Sequence, residues 1–247
     1  KDGGALYRPL NDRDSRPRRT RCDSGRSNGS NGSGKKPAPP RAAAANDRPD
    51  LEAEAGRFIA TLTEASLLQL AETLGVSASA LSILGVGWAD TVELRRLGAS
   101  GAGWPDDYPI GAFGFPERDG AGRIVGFSFR APDGRKGAPS TKKAGASRGL
   151  VIPKTLRERP DPVLIVEGAS DVAACESLGL SAVGRPSNSG GAEHLARLVK
   201  GRRILVLGER DQKETGAWPG RDGAERVAGA LANEWRDCRC GQLRGGG

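Results

Sequence analysis

The sequence predicts an α/β protein: a mostly parallel sheet flanked by helices, preceded by a smaller α+β subdomain with a β-hairpin and by a basic N-terminal arm. Three observations carry that reading. Short aliphatic runs at 163–166, 181–183 and 204–207 alternate with helical patterns at 171–178, 192–200 and 222–234, the order of a parallel sheet with crossover helices. Two of those runs end at once in acids, Val163-Leu164-Ile165-Val166-Glu167-Gly168 and Ile204-Leu205-Val206-Leu207-Gly208-Glu209-Arg210-Asp211. Further upstream, 112–130 holds two apolar or alternating runs joined by a Gly-rich turn, the pattern of a hairpin.

Taken in order, residues 1–50 read as a disordered basic, Gly/Ser-rich linker. They hold 12 Lys/Arg against 6 Asp/Glu, whereas the rest of the chain holds 26 against 24. The excess suits either a solvated linker or nucleic-acid contact. Gly29 to Lys36 mimics a phosphate-binding loop, but Lys36 stands where a hydroxyl is needed and no apolar strand precedes it, so it reads as low complexity. Order is expected from Asp50. Residues 51–74 read as one helix, with Phe58, Leu62, Ala65, Leu68 and Leu74 on a shared face and Gly75 as C-cap. Ser77 then caps a short helix to Leu84.

The hairpin and the segment after it carry Arg118, Arg123, Arg130, Lys136, Lys142, Lys143 and Arg148. Arg forms paired contacts with phosphate oxygens, so Arg118 and Arg130 suit a template or a triphosphate, and Lys142, Lys143 and Arg148 a phosphate backbone. A short third strand is expected after Asp133-Gly134. In the parallel-sheet half, ligands gather at the carboxyl ends of strands, so Glu167, Glu209 and Asp211 converge on one site suited to a divalent metal and phosphates. Asp171 opens the helix after Glu167, and Arg185 stands in a Gly/Ser loop that is either a phosphate contact or simply a flexible connection.

The hhhhEGxxD run followed by hhhh-acid-x-D resembles the Toprim domain shared by bacterial-type primases, topoisomerases and some nucleases. Glu209 departs from the Asp usual there. The hairpin sharpens the likeness: Phe115-Pro116, Arg118-Asp119, Gly122-Arg123, Gly126-Phe127 and Arg130 resemble the hairpin that bacterial-type primases carry just before their Toprim domain. Covering roughly residues 55–235, the resemblance implies a primase catalytic core of the phage- or mobile-element type, alone or in a primase–helicase. Its subdomains would be 51–158 and a Toprim domain at 159–236, with an irregular tail at 237–247.

That resemblance implies short RNA primers made on a single-stranded DNA template from ribonucleoside triphosphates, with Mg2+ or Mn2+ as cofactor and a replicative helicase among the partners. Glu209 and Asp211 would be metal ligands, Glu167 a general acid/base or further ligand, and Asp171 a helper. Arg118, Arg123, Arg130, Lys136, Lys142, Lys143, Arg148 and Arg185 would bind nucleic acid or nucleotide. Zinc is expected only in an N-terminal module outside this chain, and the third acidic strand end of the family has no counterpart in 236–247. With no Met in the chain, a piece of a longer protein is expected. Two alternatives stay open: a Toprim nuclease or topoisomerase, although Tyr7 and Tyr108 are poorly set as nucleophiles, and a degenerate Toprim module that only binds DNA. Cys22, Cys175, Cys238 and Cys240 form no C-x-x-C, and no apolar run approaches 18 residues, which points to a reducing cytoplasm and no membrane span.

Overall fold

The computed structural model describes residues 49–99, 111–137, 145–210 and 212–242, with side chains as far as Asn233. The arm through Arg48, Tyr108, Lys142, Lys143 and Asp211 lie outside the described residues.

Asp50 starts α1 (Leu51–Thr61) by accepting from the backbone N–H groups of Glu52 and Ala53 at 3.1 and 3.2 Å. The single helix expected over 51–74 is in fact two. Leu62 and Thr63 are extended, and Thr63 restarts the helix as N-cap of α2 (Glu64–Leu74) by accepting from the Ser66 N–H at 3.2 Å. A capping hydroxyl in mid-run competes with continued helix. The break also redraws the buried face. Phe58 is buried as expected, but Leu70, off the expected face, is fully buried while Leu68, on it, is 54% exposed. Ser77 caps α3 (Ala78–Leu84) as expected.

β1 (Gly87–Ala89), β2 (Ala112–Arg118) and β3 (Ile124–Arg130) form an antiparallel sheet in that order, with α4 (Thr91–Arg96) between β1 and β2. Phe58 of α1 packs on Phe127 with ring centroids 5.2 Å apart, closing a core with Phe129, Leu94 and Leu97. Of the third strand expected after Gly134, the described residues show one bridge, between Arg130 and Lys136.

The second sheet is parallel, with order β5 (Ala182–Arg185), β4 (Val163–Glu167), β6 (Ile204–Val206). Side chains alternate along a strand, and β4 uses both faces. Val163 and Ile165 pack against Leu195 of α6 (Ala192–Leu198) and Val227 and Leu231 of α7 (Pro219–Gln242). Leu164 and Val166 meet Val172 and Ala173 of α5 (Ala169–Ser177) on the opposite face. The backbone of α7 continues to Gln242, past residue 236 where an irregular tail was expected; no proline interrupts it.

Leu150 and Val151 splice the two sheets together. Leu150 exchanges two 2.7 Å backbone hydrogen bonds with Arg118 at the end of β2, and Val151 exchanges two 3.0 Å bonds with Gly184 of β5. Gly149 allows this approach, because a Cβ there would lie 2.6 Å from the Arg118 carbonyl oxygen. One apolar cluster runs across the join, from Leu81, Phe113 and Phe115 to Val166, Val172 and Ala182. Among the described residues no helix is long and apolar enough to cross a membrane.

Candidate active site

β4 carries Glu167 to the carboxyl edge of the parallel sheet, where the chain must turn at once into α5. Gly168 makes that turn at φ 84°, a conformation that costs other residues, and serves as N-cap without a side-chain bond. The helix therefore begins two residues earlier than expected, and Asp171 lies inside its first turn. Glu209 follows β6 by three residues and is exposed. Glu209 disturbs the other two carboxylates. Glu167 is pushed above its ordinary range by burial and by Glu209, with Arg185 and Lys136 opposing. Asp171 is raised by burial and again by Glu209, with Lys136 and Arg130 opposing. Among the described residues no three metal-ligating side chains stand together, and Asp211 is outside them.

Opposite Glu167 lies a cavity of about 170 Å³, walled by the hairpin and lined among others by Phe129, Arg130, Lys136, Arg148 and Arg185. Arg130 is half-buried at the end of β3. It donates to the Gly134 carbonyl at 2.6 Å and to the Ser170 hydroxyl at 2.9 Å, so the hairpin grips the first turn of α5. Lys136 is exposed and makes no ion pair with the described residues, although its charge reaches Glu167 and Asp171. Arg148 forms a two-pronged pair with the buried Glu117 at 2.8 Å and donates to the Pro186 carbonyl at 2.9 Å.

The structure thus brings Glu167 to one cavity with Arg130, Lys136, Arg148 and Arg185, and leaves Asp171 and Glu209 outside its lining but within reach of its charge. It does not bring Arg118 or Arg123 to the cavity. Arg118 donates to the Gly122 carbonyl at 2.8 Å, and Arg123 pairs with Asp119 at 2.7 Å, both stabilising the hairpin turn. Arg185 is not displayed on its loop either; it is 1% exposed and its guanidinium turns inward. Ser170 and Glu117 escaped the sequence reading. An acid within the apolar strand run Phe113 to Glu117 was the signal for the second, since a buried carboxylate demands a cation.

Fold and site together define an α/β domain whose parallel strands end in acids facing a basic hairpin. Solved structures that resemble it include primase cores. A DnaG catalytic core matches over 72% of this chain and 64% of its own, with 24% identity and a TM-score of 0.52. A DNA primase domain from Pseudomonas aeruginosa matches over 73% and 65%, with 24% identity and a TM-score of 0.51. A DnaG primase catalytic domain bound to single-stranded DNA matches over 70% and 62%, with 24% identity and a TM-score of 0.50. The described residues have the fold of the DnaG catalytic core, and the chain spans somewhat less than two thirds of those structures. No family model matches the sequence, and no curated protein is similar to it.

Proposed function

We propose that this chain is the catalytic core of a DNA primase, joining ribonucleotides into short primers on single-stranded DNA. One observation carries the reading: Glu167, at the end of a parallel strand, faces a cavity whose other wall supplies Arg130, Lys136 and Arg148. Acids on one side suit a divalent cation, and bases on the other suit phosphate. At about 170 Å³ the cavity is small for a drug-sized ligand, so it suits a phosphate group and leaves the base and template outside.

Glu167, Asp171 and Glu209 offer carboxylate oxygens, the donor type that suits Mg2+ or Mn2+. Burial and the Glu209 charge hold Glu167 and Asp171 above their ordinary range, and a cation would relieve that repulsion. Glu209 and Asp211, with Glu167, would hold the ion, which when bound would offset the negative charge of nucleotide phosphates. Glu167 is then the candidate proton acceptor for the attacking hydroxyl. Lys136 meets phosphate as a point charge, while Arg130 keeps Ser170 and the start of α5 in place. The single-stranded DNA held by one of the similar structures suits the same template class here.

The test is metal-dependent joining of labelled ribonucleotides on single-stranded DNA, with Glu167→Gln as the control. That variant should lose about 10²–10⁴-fold in rate while DNA affinity changes little. Cleavage of DNA without nucleotides would instead favour a Toprim nuclease, and DNA binding with neither activity a binding module.

A further inference from the structure

Arg185 carries one of the most deeply buried charges in the described structure, and nothing in the phosphate chemistry above uses it. It ends β5, paired in register with Glu167 of β4. Its Nε points to the Val166 carbonyl at 3.4 Å, one Nη donates to the Leu207 carbonyl at 2.9 Å, and the other donates to the Asn188 carbonyl. Val166 precedes Glu167, and Leu207 stands two residues before Glu209. The ladder between β4 and β6 ends at the 2.9 Å bond from the Leu207 N–H to the Ile165 carbonyl. Beyond that bond, this guanidinium donates to one carbonyl of each acid-bearing chain.

Asn188 extends the lock. Its side-chain amide donates to the Pro219 carbonyl at 3.3 Å, and its backbone lies so near Gly223 that a Cβ there would come within 2.4 Å. Arg185 therefore gathers the exits of β4 and β6 and the loop after β5, and Asn188 ties that loop to the start of α7.

We infer that Arg185 is a positioning residue that sets the separation of the two acid-bearing strand ends, rather than a ligand for phosphate. A planar fork with donors fixed in one plane can satisfy three carbonyls at set angles; an ammonium cannot. The role of the acids rests on the primase reading above, but the fork does not. Its positive charge repels a cation, so positional and electrostatic effects have opposite signs and can be told apart.

The experiment uses the whole chain and Mn2+ alone, with binding followed by electron paramagnetic resonance. Arg185→Lys keeps the charge and loses the fork; Arg185→Met loses both. If Arg185 positions the acids, each variant binds Mn2+ about 10- to 100-fold more weakly, as for other groups that orient ligands. Wild-type affinity in Arg185→Lys, or tighter binding in Arg185→Met, would show a purely electrostatic role and overturn the inference. Nitrogen-15 NMR of the metal-free wild type supplies a readout that needs neither folded variants nor a metal site. A guanidinium held by three carbonyls gives separate, slowly rotating Nη–H signals that inorganic tripolyphosphate leaves in place. Averaged signals, or signals shifted by tripolyphosphate, would refute the fork even where the variants fail to fold. Should the wild type bind no Mn2+, the metal reading fails and the NMR result alone decides on Arg185.

Discussion

Adding a single methyl group at Gly184 should move the candidate site without touching any of its charges. Gly184 lies on β5 beside the turn after Glu167, and a Cβ there would meet the Gly168 carbonyl oxygen at 2.7 Å and Val172 Cγ2 at 2.8 Å. Ordinary contact begins near 3.4 Å, so Gly184→Ala demands a displacement of about 0.7 Å. The turn cannot simply retreat, because the Gly168 N–H is bound to the Arg185 carbonyl at 3.1 Å. Overpacking of this kind costs about 1–3 kcal/mol, read as a shift in the urea midpoint by circular dichroism. A misplacement of about 1 Å can cost 10²-fold in function, so Mn2+ affinity at Glu167 should fall on the order of tenfold. Gly229→Ala is the control: nothing lies within 4 Å of its Cβ, and replacing a helical glycine should gain up to about 1 kcal/mol. If Gly184→Ala kept wild-type Mn2+ affinity, whatever its stability, the turn would not transmit strain to the acid and the reasoning would be wrong.

Three further outcomes are expected. Glu167 and Asp171 have raised values in the folded chain, so the fold binds protons more readily than the unfolded chain does; their contribution to stability is full below the ordinary values of 4.5 and 3.8 and is lost as pH rises through the raised ones. Urea titrations in chelator should therefore show Glu167→Gln more stable than wild type near neutral pH, with the gap closing in acid; a constant gap would point away from repulsion. Glu176, whose side chain is fully buried, accepts from Arg159 at 3.0 Å and from the Thr155 hydroxyl at 3.1 Å, so Glu176→Ala should cost about 3 kcal/mol by thermal melting, a loss much larger than a surface pair would give. Phe127→Ala, which empties the contact with Phe58, should cost about 3–5 kcal/mol and leave Mn2+ binding intact, since that core belongs to the antiparallel sheet.

The parallel sheet was legible because its signal is short-range. A buried strand must be aliphatic, its end must turn, and the acid that follows stands at the edge whatever else the chain does. The hairpin was legible for the same reason, through its alternation and Gly-rich turn. Harder to foresee were outcomes set by competition between neighbours. A capping hydroxyl at Thr63 won over helix continuation from Leu62, and no periodicity count registers that contest. Basic residues were the least legible, since Arg118, Arg123, Arg130, Arg148 and Arg185 look alike in sequence. Which of them meets a carbonyl, a carboxylate or an open cavity depends on partners as distant as Glu117 from Arg148 or Leu207 from Arg185.

The Leu150–Val151 splice has a consequence for how the cleft can open. Both of its seams are main-chain bonds, so it behaves like the spine of a book whose covers are the hairpin and the acid-bearing sheet. Points beside a spine keep their spacing while the outer margins swing. Arg148 and Pro186, next to the spine, would stay joined, and Lys136 and Arg130 on the hairpin would travel furthest from the acids, parting Arg130 from Ser170. At the fore-edge, among the described residues, the hairpin is tied to the first turn of α5 by a hydrogen bond to a serine.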